Sequence, residues 1–219
     1  MGSAAHFVGA TSTVEGRLSQ VAYASYMPDR SDDRIRGLTL VIGMVVVMWA
    51  LEVVDVVAPG LDSDGIHPRN VDGLPGIALA PFLHAGWGHL IGNTLPFLVL
   101  GFTIALGGLA RTAAVVVIVA LTAGFGTWLL APAHTNHIGA SGLVFGFATY
   151  LVARGAWSHR PVHLLVGVIV LAIYGTTLVF GLVPTPGISW QGHLFGAVGG
   201  IVAARVLHAA SRQPSPAGL

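Results

Sequence analysis

The chain has 219 residues, of which 54% are hydrophobic and 9% are charged, and its mean hydropathy is +0.78. Soluble domains carry about 25% charged residues, so this composition excludes a soluble globule and predicts that lipid is the solvent. The absence of cysteine excludes disulfides and thiolate chemistry, and ten arginines without lysine, at a net charge of +1, provide no basic field for nucleic acid.

Six apolar runs approach the roughly 20 residues that a helix needs to cross a bilayer. Gly, Pro, Asn, Arg and His separate these runs, as is typical of loops. The sequence therefore predicts an all-α membrane protein, a six-transmembrane helix bundle with helices at residues 38–57, 88–106, 112–130, 141–153, 162–182 and 190–207. We expect residues 1–37 to form a flexible cytosolic tail, 38–208 the membrane domain, and 209–219 a disordered tail.

The placement of arginine predicts the orientation of the bundle, because cytoplasmic loops collect positive charge. If the N-terminus lies inside, nine of the ten arginines fall on or beside the cytoplasmic face, and only Arg69 lies outside. We therefore expect a multi-pass protein of the cell membrane whose N- and C-termini are both cytoplasmic.

Two features of the predicted outer side bear on function. Residues 58–87 form a connection that is long for an ordinary loop, and it either rests on the membrane surface or borders an active site. The fourth apolar run, residues 141–153, has 13 residues and therefore about 20 Å of helix. This length predicts that Ser141 lies about 10 Å below the edge of a hydrocarbon core about 30 Å thick, in a water-containing cavity.

Four polar residues lie inside the predicted spans, where lipid disfavours them. His89 and Asn93 are four residues apart on the second span. Ser141 opens the fourth span, and His193 lies near the start of the sixth. All three spans enter from the outer side, so the four residues lie at one depth and can meet. A hydroxyl at a helix N-terminus, a histidine and two more donors suit acyl transfer, whereas a helix cap and packing histidines are the alternative.

Three motifs at these positions resemble those of the rhomboid family of intramembrane serine proteases. The family's Gly-x-Ser-Gly nucleophile motif corresponds to Gly139-Ala140-Ser141-Gly142. Its second-helix pattern of two histidines and an asparagine corresponds to His84, His89 and Asn93. Its sixth-helix pattern His-x-x-Gly-x-x-x-Gly corresponds to His193-Leu194-Phe195-Gly196 with Gly200. The resemblance extends over residues 38–208, with the motifs in the same order and on the same helices.

The resemblance implies a Ser-His dyad in which Ser141 is the nucleophile and His193 is its general base. It also implies an oxyanion hole formed by His89, Asn93 and the backbone N–H of Ser141. The residues expected to support this site are Gly139, Gly142, His84, Phe145 and Gly196. The implied substrates are single-span membrane proteins cut near the outer membrane boundary, and no cofactor or metal is expected.

Two positions depart from the family pattern. The Trp-Arg pair that many relatives carry in the first external loop is missing from residues 58–87. Phe145 stands one turn below Ser141, where relatives often have a tyrosine that stacks on the catalytic histidine. The ring is kept, and the hydroxyl is lost.

Two rival interpretations come from other classes of protein. Ten histidines could indicate a metalloprotease or a metal transporter, but the sequence has no His-Glu-x-x-His motif and no acidic residue within the second to sixth spans. The other rival is a catalytically inactive rhomboid-like protein that binds transmembrane clients. Such relatives typically lack the serine or the histidine, so the presence of Ser141 and His193 favours an enzyme.

Overall fold

The computed structural model describes residues 30–210 of the chain. From Arg34 onward the described residues belong to one compact unit. Six long helices are present in this part: α1 Arg30–Val57, α2 Trp87–Ala105, α3 Leu109–Leu130, α4 Ser141–Ser158, α5 Pro161–Phe180 and α6 Trp190–Ala210. Residues 1–29 and 211–219, which hold most of the two predicted tails, lie outside the described residues.

Five of these helices, all except α4, are long and apolar enough to cross a membrane. α4 is less apolar because it carries Arg154 and Ser158 in its last turns. It packs against α2, α3, α5 and α6, and it buries side chains along its length from Leu143 to Gly155. A helix enclosed by its neighbours presents little surface to lipid, so it needs fewer apolar residues than a peripheral span.

The bounds of two helices differ from the sequence prediction by more than three residues. α1 begins at Arg30, eight residues before position 38. α4 has 18 residues and ends at Ser158 instead of residue 153. Its length is about 27 Å, which nearly matches a hydrocarbon core of about 30 Å, so the predicted 10 Å recess of Ser141 was wrong as an argument from helix length. The predicted span stops before Arg154 because a charged residue is costly in lipid, whereas in the structure Arg154 is half-buried inside the bundle and the helix continues past it.

Glycines bring α6 into close contact with α4. A Cβ atom at Gly196 would collide with the carbonyl oxygen of Gly142, and one at Gly200 would collide with that of Gly146. Replacing side chains with hydrogen at these positions lets the two backbones touch, as in other membrane helix pairs with small residues at the interface. This contact fixes the first turn of α6 beside the first turn of α4.

The connection between α1 and α2 is a folded segment that lies over the start of α4. It contains the short helix Gly76–Leu79 between stretches of 3-10 helix. Arg69 Nη1 donates hydrogen bonds to the carbonyl oxygens of Leu129 at 3.0 Å and Ala131 at 2.8 Å. Near Ser141, the N–H of Gly139 donates to the Ala80 carbonyl oxygen at 2.8 Å. Of the two alternatives for this connection, the structure therefore has the one in which it borders the candidate site.

Candidate active site

Ser141 is the first residue of α4 and is half-buried. The chain reaches it through Gly139, whose φ of +115° is strained for residues with a side chain. A Cβ atom at Gly139 would also crowd the His89 ring, with its Nε2 at 2.7 Å. Glycine at this position therefore allows both the turn into α4 and the approach of His89 to the start of that helix.

His193 lies in the first turn of α6 and is buried. Its Nε2 is 2.9 Å from Ser141 Oγ, and its Nδ1 is 2.8 Å from the carbonyl oxygen of Gly181. A carbonyl can only accept, so Nδ1 carries the hydrogen and donates it to Gly181. Nε2 is then free to accept the hydroxyl hydrogen of Ser141, which is the tautomer that a general base for this serine requires.

Phe145 forms one wall of the His193 position. The two rings are stacked with a centroid distance of 4.1 Å and an interplanar angle of 8°. Gly181 lies beside both rings, because a Cβ atom there would clash with the Phe145 ring and approach His193 Nδ1 to 3.1 Å. The imidazole is thus oriented by a ring, a backbone carbonyl and a glycine. Sequence reasoning missed Gly181, which carries no motif and contributes only a main-chain oxygen.

His89 lies in the first turns of α2 with a defined tautomer. The N–H of Ala85 donates to His89 Nδ1 at 3.4 Å, so Nδ1 is an acceptor and Nε2 carries the hydrogen. The edge of the ring formed by Cε1 and that Nε2 lies beside Gly139, two residues before Ser141. His89 therefore directs an N–H donor to the start of α4.

Asn93 lies one turn further along α2 and is 7% exposed. Its Nδ2 donates to the carbonyl oxygen of His89 at 2.9 Å, which fixes the amide group on the face of α2 that carries His89. This bond uses one of the two hydrogens of the amide nitrogen.

His84 contacts the residue before Ser141 through a hydrogen bond. The N–H of Ala140 donates to His84 Nε2 at 3.3 Å, and the His84 ring meets the His89 ring edge-on at a centroid distance of 5.1 Å. His84 is 2% exposed, and burial, with a smaller effect of His89, lowers the pKa of His84 to about 4. It is therefore neutral at pH 7, as an acceptor from Ala140 must be.

A small cavity and a larger hollow adjoin this site. The cavity, of about 40 Å³, lies next to Ser141 and is also lined by Thr127, His137 and Ser189. His137 Nδ1 is 2.8 Å from Ser189 Oγ. The hollow, of about 820 Å³, is lined by His89, His137 and Gln191 among others. Sequence reasoning did not identify His137, Thr127 or Ser189 as part of the site.

The structure brings the predicted residues of α2, α4 and α6 together at one end of the bundle. Within residues 30–210, no three side chains of His, Cys, Asp or Glu are grouped so that they could hold a metal ion. The long apolar helices define a multi-pass membrane protein. At one end of its bundle, a serine is hydrogen-bonded to a histidine, an arrangement that can provide a nucleophile and its base.

Residues 72–210 match the profile of the Rhomboid domain. The chain therefore belongs to the rhomboid family. It is 41% identical over 187 residues to the uncharacterized protein Rv1337 of Mycobacterium tuberculosis, which covers 81% of this chain and 78% of the relative. It is 39% identical over 203 residues to the uncharacterized protein ML1171 of Mycobacterium leprae, with 86% of this chain and 80% of the relative covered.

Proposed function

We propose that this protein is an intramembrane serine endopeptidase that uses a dyad of Ser141 and His193. The observation that carries the proposal is the 2.9 Å distance between Ser141 Oγ and His193 Nε2 in a member of the rhomboid family. The hydrogen bond from His193 Nδ1 to Gly181 supports it, because it leaves Nε2 unprotonated and directed at the serine.

The reaction follows from this geometry as acyl transfer. Ser141 Oγ attacks the carbonyl carbon of the scissile peptide bond while its proton passes to His193 Nε2. The tetrahedral intermediate then collapses as His193 returns that proton to the leaving amine, and an acyl-Ser141 ester remains. A water molecule gives a proton to His193 and attacks the ester. His193 then returns this proton to Ser141 Oγ as the second fragment leaves, which restores the dyad.

The developing oxyanion is stabilised by three donors in this proposal: His89 Nε2, Asn93 Nδ2 and the backbone N–H of Ser141. The last is one of the unpaired N–H groups at the N-terminus of α4, where the helix dipole also favours negative charge. The His89 tautomer supports the assignment, since Nε2 carries a hydrogen and lies beside Gly139. Donors held by fixed hydrogen bonds require little reorganisation during the reaction.

The substrates in this proposal are single-span proteins of the cell membrane, and the enzyme spans that membrane six times with both termini inside. The distribution of arginine supports the orientation. The enclosure of α4 by its neighbours supports counting this less apolar helix as one of the six spans. The active site then faces outward, and cleavage occurs near the outer membrane boundary at a small residue.

An inactive protein that binds transmembrane clients is the second candidate function. A fluorophosphonate probe separates the two, because it reacts with an activated serine only. We expect labelling of wild type, no labelling of Ser141→Ala, and normal labelling of Thr103→Ala, which removes an exposed hydroxyl bonded to Val99 within α2. Absence of labelling in folded wild type would favour the inactive protein.

The proposal as a whole is tested by co-expression with a panel of single-span membrane proteins. We expect wild type and Thr103→Ala to release fragments of at least one of them, and Ser141→Ala and His193→Ala to release none. The two losses are not additive, because nucleophile and base act as one unit. A folded Ser141→Ala variant that still cleaves would overturn the mechanism.

A further inference from the structure

A second polar cavity lies at the end of the bundle opposite Ser141. It has a volume of about 260 Å³ and is enclosed by the start of α3, the ends of α4 and α6, and the start of α5. Its lining residues are Arg111, Tyr150, Arg154, Ser158, Arg160, His163, Ala204 and His208. Arg154 follows Ser141 by 13 residues on one helix, so the cavity lies about 20 Å from the candidate active site.

The charges of this cavity have one sign. Among residues 30–210, three arginines and two histidines line it, and no acidic side chain does. Arg154 is half-buried and has no hydrogen bond or ion pair with another residue in the described part of the chain. Arg111 is also half-buried, and it donates to the hydroxyl of Tyr150 at 3.1 Å. Half-buried guanidinium groups without a counter-ion are costly, especially at the end of a membrane bundle, so the cavity favours an anion.

The remaining donors of the cavity are held in position. Tyr150 is fully buried, and because its oxygen accepts from Arg111, its own hydrogen is available to a ligand. His163 Nδ1 is 2.8 Å from Ser158 Oγ, which orders both side chains at the rim. α5 also begins here, and its N-cap residue Arg160 makes no side-chain capping bond. The helix dipole therefore adds to the positive potential.

We propose that this cavity binds a phosphate group, carried either by an anionic lipid headgroup or by a soluble phosphate. The guanidinium group of arginine binds two phosphate oxygens through paired charge-assisted hydrogen bonds. The three arginines of the cavity carry more positive charge than a single carboxylate would neutralise. Basic cavities between membrane helices are a known place for anionic headgroups. The site is separate from the candidate active site and does not depend on its chemistry.

Binding can be measured on the purified full-length protein in a zwitterionic detergent, through the temperature of thermal unfolding. One titration uses inorganic phosphate against chloride at matched ionic strength, and the other uses mixed micelles with phosphatidylglycerol against phosphatidylcholine. We expect phosphate or phosphatidylglycerol to raise the unfolding temperature of wild type. A response to inorganic phosphate identifies a soluble ligand as sufficient, and a response to phosphatidylglycerol alone identifies the lipid.

The variant series assigns the binding to this cavity. The double variant Arg111→Gln, Arg154→Gln should bind at least about tenfold more weakly, as expected for lost charge-assisted hydrogen bonds. Arg205→Gln removes an exposed arginine of α6 that does not line the cavity, and it should bind as wild type does. If the double variant fails to fold, Tyr150→Phe removes a single donor and should weaken binding. Equal binding by wild type and the folded cavity variants, or no response of wild type to either probe, would overturn the proposal.

Discussion

His193 is oriented by a backbone carbonyl instead of a carboxylate. Its Nδ1 donates to Gly181, and the Phe145 ring stacks on its face, so the imidazole has one position and one tautomer. A carbonyl stabilises an imidazolium less than a carboxylate would, because it carries no full charge. At this scale the candidate site therefore depends more on placement than on a strong charge partner.

Asn93 provides the sharpest residue-scale test of the oxyanion hole. Its amide is anchored to the His89 carbonyl at 2.9 Å, so the residue is positioned before substrate arrives. We expect Asn93→Ala to lower the cleavage rate by about 10 to 10³-fold, the range for removal of one oxyanion donor. Fluorophosphonate labelling of Ser141 should persist in part, since the serine and its base remain. An unchanged cleavage rate would make Asn93 a packing residue.

The low pKa of His84 predicts a dependence of stability on pH. Folding lowers this pKa from 6.5 to about 4, so between these values the unfolded chain binds a proton that the folded protein does not. The contribution of His84 to the free energy of unfolding is therefore fully present above pH 6.5. It is lost as the pH is lowered toward 4, and the loss is about 3 kcal/mol at most. Unfolding in detergent at pH 7 and pH 4.5 measures the loss.

His84→Gln isolates this contribution, because glutamine can still accept from Ala140 but does not titrate. We expect the difference in stability between pH 7 and pH 4.5 to be smaller in His84→Gln than in wild type. His159→Asn, at the exposed end of α4, should keep the wild-type difference. The same pH dependence in all three proteins would contradict the role of His84 as a buried neutral acceptor.

At the scale of elements, the contact between α6 and α4 determines whether the dyad forms. Gly196 and Gly200 place the two backbones in contact, so α6 brings His193 to the first turn of α4. We expect Gly196→Ala to lower stability by about 1 to 3 kcal/mol, the usual effect of overpacking, and to reduce labelling of Ser141, because the clash is with a backbone oxygen that cannot move aside.

Gly175→Ala is the matched control for this substitution. Gly175 lies within α5, and a Cβ atom there meets nothing within 4 Å. Thermal unfolding and probe labelling of Gly175→Ala should match those of wild type. A Gly196→Ala variant indistinguishable from Gly175→Ala would show that α6 can shift without loss of the site.

The predictable parts of the fold are those that depend on apolar periodicity and on side chains with distinctive chemistry. An all-helical fold was predicted and is confirmed for residues 30–210, and the rhomboid family is also confirmed. Ser141, His193, His89 and Asn93 could be identified because polar side chains are rare at membrane depth. The sequence could not predict the role of the Gly181 carbonyl or the cavity lining by Thr127 and Ser189, because these depend on where the folded main chain lies. It could not predict the end of α4, because that depends on the burial of Arg154 by neighbouring helices.

At the scale of the whole molecule, the polar groups separate to the two ends of the bundle. Ser141 and its partners lie at one end, and the basic cavity around Arg154 lies at the other. The first end is covered by the connection between α1 and α2, and a hollow of about 820 Å³ bordered by His89, His137 and Gln191 lies beside it. The proposed function requires a substrate to reach Ser141 from that end.

This geometry predicts which transmembrane segments can be cut. A stable helix has its carbonyls hydrogen-bonded and its side chains crowded around them, so its peptide bonds cannot reach the half-buried Ser141. Gly or Pro near the outer boundary lowers the cost of opening a turn by about 1 to 3 kcal/mol per residue. Replacing these residues by Leu in a cleaved substrate should therefore reduce the yield of fragments about 5 to 100-fold, since each 1.4 kcal/mol is a factor of ten. The same replacements at the cytoplasmic end of that substrate should have no effect, because that end does not unwind. Unchanged cleavage after the outer replacements, or a cut mapped to the cytoplasmic side, would exclude an outward-facing site that is entered by an unwound helix.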